Sequence, residues 1–186
     1  MHEKLTIDIE TTGLSNQDEI LQLSVLDTMT DEVLFNSFLK PSHIKSWDEA
    51  TKTHHITPEM VVNAPTINQI RDAVQKLLDK ASLIVGYNHL NFDNRFLAKA
   101  GFRLPERQYD VMLKYSEYIK EPNKYPEGFN KTPYKWFKLV DCATNLGYDW
   151  ESRPHDSASD ARATSWCYRK LTEINWVLIQ QLAISF

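Results

Sequence analysis

Residues 4–14, Lys4-Leu5-Thr6-Ile7-Asp8-Ile9-Glu10-Thr11-Thr12-Gly13-Leu14, decide how the rest of the chain is to be understood. Residues 4–9 form a strand-like run. Ile7 and Ile9 point one way, into a core. Asp8 and Glu10 project together from the opposite face, because side chains two apart on a strand share a side. Two neighbouring carboxylates repel each other and lose hydration. A divalent cation would remove that penalty. A strand with one solvated face would also tolerate it, and a bare D-x-E pattern favours that plainer explanation.

Working outward, Thr12-Gly13-Leu14-Ser15-Asn16 reads as a turn, and residues 19–28 and 32–39 as two more strands rich in Val, Leu, Ile and Phe. The short connections favour an antiparallel meander. Thr57-Pro58-Glu59 is a helix start. Thr66 can cap a longer helix to about Lys80, with Ile70, Val74, Leu77 and Leu78 on one face. Ser82 to Tyr87 reads as a short apolar strand, residues 91–100 as a helix stopped by Gly101, and Tyr109-Asp110-Val111-Met112 as a last strand. Residues 134–146 and 157–180 read as helices, the first stopped by Gly147. Three strands followed by helices alternating with single strands imply an α/β fold, a mixed sheet flanked by helices.

The chain has 186 residues, 42% hydrophobic and 25% charged, which suits one globular domain over 1–186. No apolar run is long enough to span a bilayer, and no secretory signal is apparent. Cys142 and Cys167, the two cysteines, fall in helix-like segments and read as buried thiols, so a cytoplasmic, reducing setting is expected. The net charge of −4 argues against a broadly basic nucleic-acid surface but not against a site where metal ions face phosphates.

Asp8-Ile9-Glu10-Thr11-Thr12-Gly13-Leu14 closely resembles the first motif of the DEDD exonucleases, the superfamily of the polymerase proofreading domains. Gly86-Tyr87-Asn88-His89-Leu90-Asn91-Phe92-Asp93 resembles its Y-N-x-x-N-F-D element, although by itself Asp93 or Asn91 could simply cap a helix. His155-Asp156-Ser157-Ala158-Ser159-Asp160-Ala161 resembles the H-x-x-x-x-D pattern of the histidine (DEDDh, DnaQ-like) branch; the tyrosine branch would place Tyr where Asp156 stands. The three motifs occur in the family's order, from residue 8 to 161. His54-His55-Ile56-Thr57 is similar to an H-G-I-T element, with His55 in place of glycine, a departure that bears on the local turn geometry. His54, His55 and His89 are taken as structural.

The resemblance implies a ribonuclease-H-like fold with a five-stranded sheet, and a 3′–5′ exonuclease that hydrolyses phosphodiester bonds with two divalent cations, Mg²⁺ or Mn²⁺. Asp8 would bridge both ions, Glu10 and Asp160 would serve the water-activating ion, Asp93 the other, and His155 would be the general base. Thr11, Thr12 and Leu14 would meet the terminal 3′ nucleotide, with Asn88 also on the substrate side. The substrate is nucleic acid with a free 3′ end, DNA ahead of RNA and single-stranded ahead of duplex. Alternatives are an exoribonuclease trimming short RNA and a non-catalytic nucleic-acid-binding or polymerase-accessory module; more distant is a structural protein with an acidic Ca²⁺ site.

Between Lys114 and Lys138 lie six lysines, three acids and seven aromatic residues. That mixture suits a single-strand track, with Lys131 and Lys135 as contacts, though the aromatics could equally pack the core. The apolar run from Ile174 to Phe186 is expected to pack on the protein's own core; by analogy alone it is also a candidate docking segment for a polymerase or a second subunit.

Overall fold

The computed structural model describes residues 3–125, 132–150 and 154–184, with side chains as far as residue 174. Five strands, β1 (Glu3–Thr11), β2 (Ile20–Asp27), β3 (Val33–Phe38), β4 (Ala81–Gly86) and β5 (Gln108–Asp110), form one sheet in the order β3-β2-β1-β4-β5. The expected meander is present: β1 pairs antiparallel with β2, and β2 with β3. β4 and β5 add in parallel beyond β1, so the sheet is mixed. Seven helices are described: α1 (Asp48–His54), α2 (Pro58–Val61), α3 (Ile67–Leu78), α4 (Asp93–Lys99), α5 (Val111–Ile119), α6 (Leu139–Asn145) and α7 (Ser157–Ile184).

The alternation in β1 sorts the two sides. Leu5, Ile7 and Ile9 are buried with Leu23 and Val25 of β2 against Ile70, Val74 and Leu78 of α3 and Phe96 and Leu97 of α4. Each such side chain contributes about 1.5–3 kcal/mol by leaving water. α3 begins where Gln69 Oε1 accepts from both the amide and the hydroxyl of Thr66, as the Thr66 cap predicts. On the other face, Leu83 and Val85 pack with Val111 and Tyr115 of α5, Cys142 and Ala143 of α6, and Ala163, Cys167 and Leu171 of α7. Both cysteines are buried free thiols, as expected.

α7 lies close to β1 and β2 because its sheet-facing residues are small. Ala158, Ala161 and Ser165 are all buried. Ser165 Oγ donates to Thr6 Oγ1 at 2.8 Å, and Arg169 reaches the Thr28 carbonyl at 2.6 Å and both carboxylate oxygens of Asp31.

Two sequence expectations need correcting. Tyr109-Asp110-Val111-Met112 is not one strand: Asp110 ends β5, its carboxylate accepts from the Leu113 amide, and Val111 opens α5. The helix expected over 134–146 starts at Leu139. Residues 133–135 are held extended against 121–123 by Asn123 N–H to the Pro133 carbonyl and Lys135 N–H to the Glu121 carbonyl, both 2.9 Å. Helix α1 was not legible in the sequence. Among the described residues no helix is long and apolar enough to cross a membrane.

Candidate active site

The polar face of β1 forms the floor. Thr6 is sealed beneath α7, while Asp8 and Glu10 lie further along the same face and are half-buried. β4 pairs with β1 only as far as Thr6. Past that point the start of α4 approaches β1, and the Ile9 backbone amide acts on the Asp93 carboxylate. Asp93 is the first residue of α4 and is buried. It does not cap the helix: Phe92 holds the cap position without a side-chain bond, and Asn91 Nδ2 donates to Asn88 Oδ1 instead.

The turn presenting Asp93 is bent at Asn88, whose φ is +57°. Asp110 fixes it. One carboxylate oxygen accepts from the Asn88 amide at 3.0 Å and the other from the Leu90 amide at 3.3 Å, and His89 Nδ1 lies 3.5 Å away. A Cβ on Gly86 would sit 2.5 Å from His89 Cγ, so glycine is required where the buried His89 ring crosses the strand end. His89 is fully buried at the strand end, as a packing role would require.

Opposite β1, the start of α7 brings His155 and Asp160. His155 has φ +66°, and its amide donates to both Asp160 oxygens at 3.2 Å. Ligand atoms of Glu10, His155 and Asp160 lie within 4.8 Å of one another; the imidazole is exposed and Asp160 buried.

Charge repulsion ties Asp8 to the same place. Burial raises its pKa well above the usual carboxylate range, and the charges of Asp93, Asp160, Glu10 and Asp156 raise it further. Burial, then Asp160 and Asp93, push Glu10 to about 8. Burial lifts Asp93 to about 7 against the pull of His89 and two backbone amides. Burial also lifts Asp160 to about 7 against the His155 amide. Among the described residues none of these four acids is in a salt bridge with Lys, Arg or His. A cluster of hard oxygen donors that burial leaves short of positive charge fits divalent cations such as Mg²⁺ or Mn²⁺. His155 moves the other way: although the residue is exposed, partial desolvation of its ring, then His55 and the exposed Lys138, hold its pKa below the ordinary histidine value.

Several residues of this site escaped sequence reasoning. Gln22 and Ser24 stand opposite Glu10 and Asp8 on β2. Gln22 Nε2 donates to Asp156 and to Asn36, its Oε1 accepts from the Ser157 amide, and Ser24 and Ser157 hydroxyls meet at 2.6 Å. Asp156 also accepts from the Ser159 amide, capping α7. Two polar residues at period-two spacing inside an otherwise apolar strand were the available signal. Buried His54 ties down the end of β1: Nδ1 accepts from the Ile56 amide and Nε2 lies 3.1 Å from the Thr11 carbonyl. His55 takes φ +61°, the conformation for which the glycine of the resembled element is suited.

The expected substrate contacts separate into groups. Thr11 and Thr12 are buried, and their hydroxyls bond to the Gly13 carbonyl and to Asp18. A Cβ on Gly13 would lie 2.7 Å from an Asp18 oxygen, so a side chain there would displace the carboxylate that holds Thr12 and the Ser15 amide. Leu14 is 78% exposed and borders a cleft of about 720 Å³ that also touches Glu10, Trp47, His54 and Phe92. Asn88 is half-buried beside Asp93. Lys135 pairs with Glu121 at 3.0 Å and lies over the Phe137 ring, and Tyr115 is a core residue. Lys131 and the side chains from residue 175 onward lie outside the described residues.

The chain is similar to known proteins in sequence and fold. It is 33% identical over 174 residues to the uncharacterized exonuclease CP81 of Escherichia phage 186, covering 87% of this chain and 84% of that one. A 96-residue stretch is 32% identical to the PolC-type DNA polymerase III of Staphylococcus aureus, half of this chain but 6% of that protein. Among solved structures, Exonuclease I of E. coli with a dA16 oligonucleotide superposes with a TM-score of 0.70 at 20% identity, over 94% of this chain and 41% of that one. Exonuclease X with 5′-overhanging duplex DNA superposes at 0.64 and 16% identity, over 92% of both chains. These likenesses confirm the ribonuclease-H-like fold. Residues 5–166 match the exonuclease family RNase_T, and with the phage relative this shows that the chain belongs to that family of DnaQ-like DEDD enzymes and is a 3′–5′ exonuclease, a hydrolase of phosphodiester bonds.

Proposed function

We propose that the protein removes nucleotides one at a time from the 3′ end of single-stranded DNA, with Asp8, Glu10, Asp93 and Asp160 holding two Mg²⁺ or Mn²⁺ ions and His155 acting as general base. The convergence of Glu10, His155 and Asp160 within 4.8 Å, beside two further acids and, among the described residues, without a salt bridge to Lys or Arg, carries this reading. Bound there, the cations supply the positive charge that displacement at phosphorus requires and make water easier to deprotonate.

The chain's own residues do the rest. His155, neutral at physiological pH because its pKa is held low, accepts the proton of the attacking water at an imidazole nitrogen. A cavity of about 230 Å³ lined in part by Gln22, His54, His155 and Asp156 adjoins the ring and is large enough for water. Leu14 and the cleft beside it receive the terminal nucleotide. The backbone of Thr11 and Thr12 orients it, their hydroxyls being used within the turn. Asn88 faces the substrate beside Asp93. DNA is favoured because it is the ligand named for the similar Exonuclease I and Exonuclease X structures, and because half of the chain matches a DNA polymerase.

The test is digestion of 5′-labelled single-stranded DNA, duplex DNA and RNA in parallel, with Mg²⁺ and with Mn²⁺. A ladder shortening from the 3′ side, fastest on single-stranded DNA and abolished by EDTA, is expected. Faster loss of RNA would reassign the substrate, and no cleavage with binding that survives EDTA would reduce the chain to a binding module.

A further inference from the structure

We propose that Arg95 is a positioning residue for the 3′-terminal nucleotide: from α4 it fixes the Leu14–Asn16 turn, so that Leu14 stands preset at the cleft. The inference builds on the role given above to Leu14.

Leu14 projects at the tip of a turn, apolar and almost bare to solvent. A side chain in that situation would be ordered only when substrate arrives, at an entropic cost to binding. Here the turn is already held. Arg95 Nη2 donates to the Leu14 carbonyl at 2.6 Å and Nη1 to Asn16 Oδ1 at 3.4 Å. One turn along the same helix, Lys99 Nζ donates to the carbonyls of Asn16 at 2.9 Å and Asp18 at 3.1 Å. The guanidinium itself is held, lying 4.9 Å from the Phe92 ring centroid and 5.0 Å from that of Phe96. Phe92 also lines the cleft beside Leu14.

Arginine suits this work because its planar fork serves two acceptors while its face stacks on aromatic rings. The helix that carries the clamp starts at Asp93. Arg95 therefore links the acid cluster to the turn that meets the terminal nucleotide, and the two halves of the site keep a fixed spacing.

The test is steady-state digestion of labelled single-stranded DNA in Mn²⁺ by wild type, L14A, R95A, R95K and L14A/R95A, with Mn²⁺ affinity and salt dependence measured on each. We expect R95A to raise KM about 3–10-fold with kcat within about twofold and Mn²⁺ affinity unchanged, R95K to recover part of the loss, and the double variant to be no worse than L14A. Effects of L14A and R95A that multiply in the double variant would overturn the proposal, as would a flatter salt dependence in R95A, which marks a direct phosphate contact. Should R95A fail to fold, R95K decides: KM equal to wild type with the same salt dependence overturns it. If L14A alone leaves KM unchanged, it is the role of Leu14 that fails, and the ladder assay stands apart from that outcome.

Discussion

The backbone amide of His155 donates to both carboxylate oxygens of Asp160, five residues further on. The contact is possible because His155 adopts a positive φ, turning its amide back toward the first turn of α7. One bend thus sets the direction of the imidazole and the orientation of the acid beside it. The backbone bond is independent of the ring, so ring and acid can be separated by mutation.

His155→Ala keeps the amide and removes the ring. Turnover should fall roughly 10²–10⁴-fold while Mn²⁺ affinity, read by calorimetry, stays within a few-fold of wild type. In the wild type the acid limb of kcat/KM should lie below the ordinary histidine value, since burial, His55 and Lys138 all favour the neutral ring. Near-normal turnover in the variant would remove the general-base role.

Gln22→Leu should act through the start of α7. It strips Asp156, Asn36 and the Ser157 amide of a buried partner, at a cost of about 1–3 kcal/mol in urea unfolding. Because α7 then starts less firmly, kcat should fall about tenfold with KM nearly unchanged. A variant as stable and as fast as wild type would show that this clamp does not position the site.

His55 occupies a conformation that disfavours side chains. His55→Gly should raise stability by about 0.5–1 kcal/mol, visible as a higher Tm. A lower Tm would mean that the exposed imidazole makes a contribution outweighing the backbone strain.

How far the sequence speaks for itself differs from place to place. The β1 alternation and the Thr66 helix mapped directly onto sheet and α3, because period and local chemistry specify them; the three motifs were legible through the family resemblance, since each alone also fits a solvated strand face or a helix cap. Residues 134–138 misled, since their extended form is imposed by pairing with residues 121–123 and by Tyr87 Oη bonding the Phe137 carbonyl. Tyr115, Phe137 and Lys135, plausible as a nucleic-acid track, are engaged in packing and an ion pair. Gln22, Asp156 and Asp110 matter through partners up to 135 residues away, a relation that no local pattern encodes.

The acid cluster should make the cation-free protein sensitive to rising pH. Glu10, Asp93 and Asp160 hold protons up to about 7–8 in the fold, against about 4 in the unfolded chain. Between those values these three groups bind more protons in the native state, so their contribution to stability is fully present below about pH 4 and is lost as pH rises through 7–8. In EDTA, Tm should fall from pH 5 to pH 8, and added Mn²⁺ should raise it more at pH 8 than at pH 5. Equal Mn²⁺ shifts at both pH values would argue against a cation at these carboxylates.

Anomalous diffraction from crystals soaked in Mn²⁺ tests most directly whether residues so far apart in the chain share one pair of ions. Two peaks about 3.5–4 Å apart, bridged by Asp8, with Glu10 and Asp160 on one and Asp93 on the other, are the expected result. Peaks elsewhere, or none at these carboxylates in crystals of protein that still degrades DNA, would contradict it.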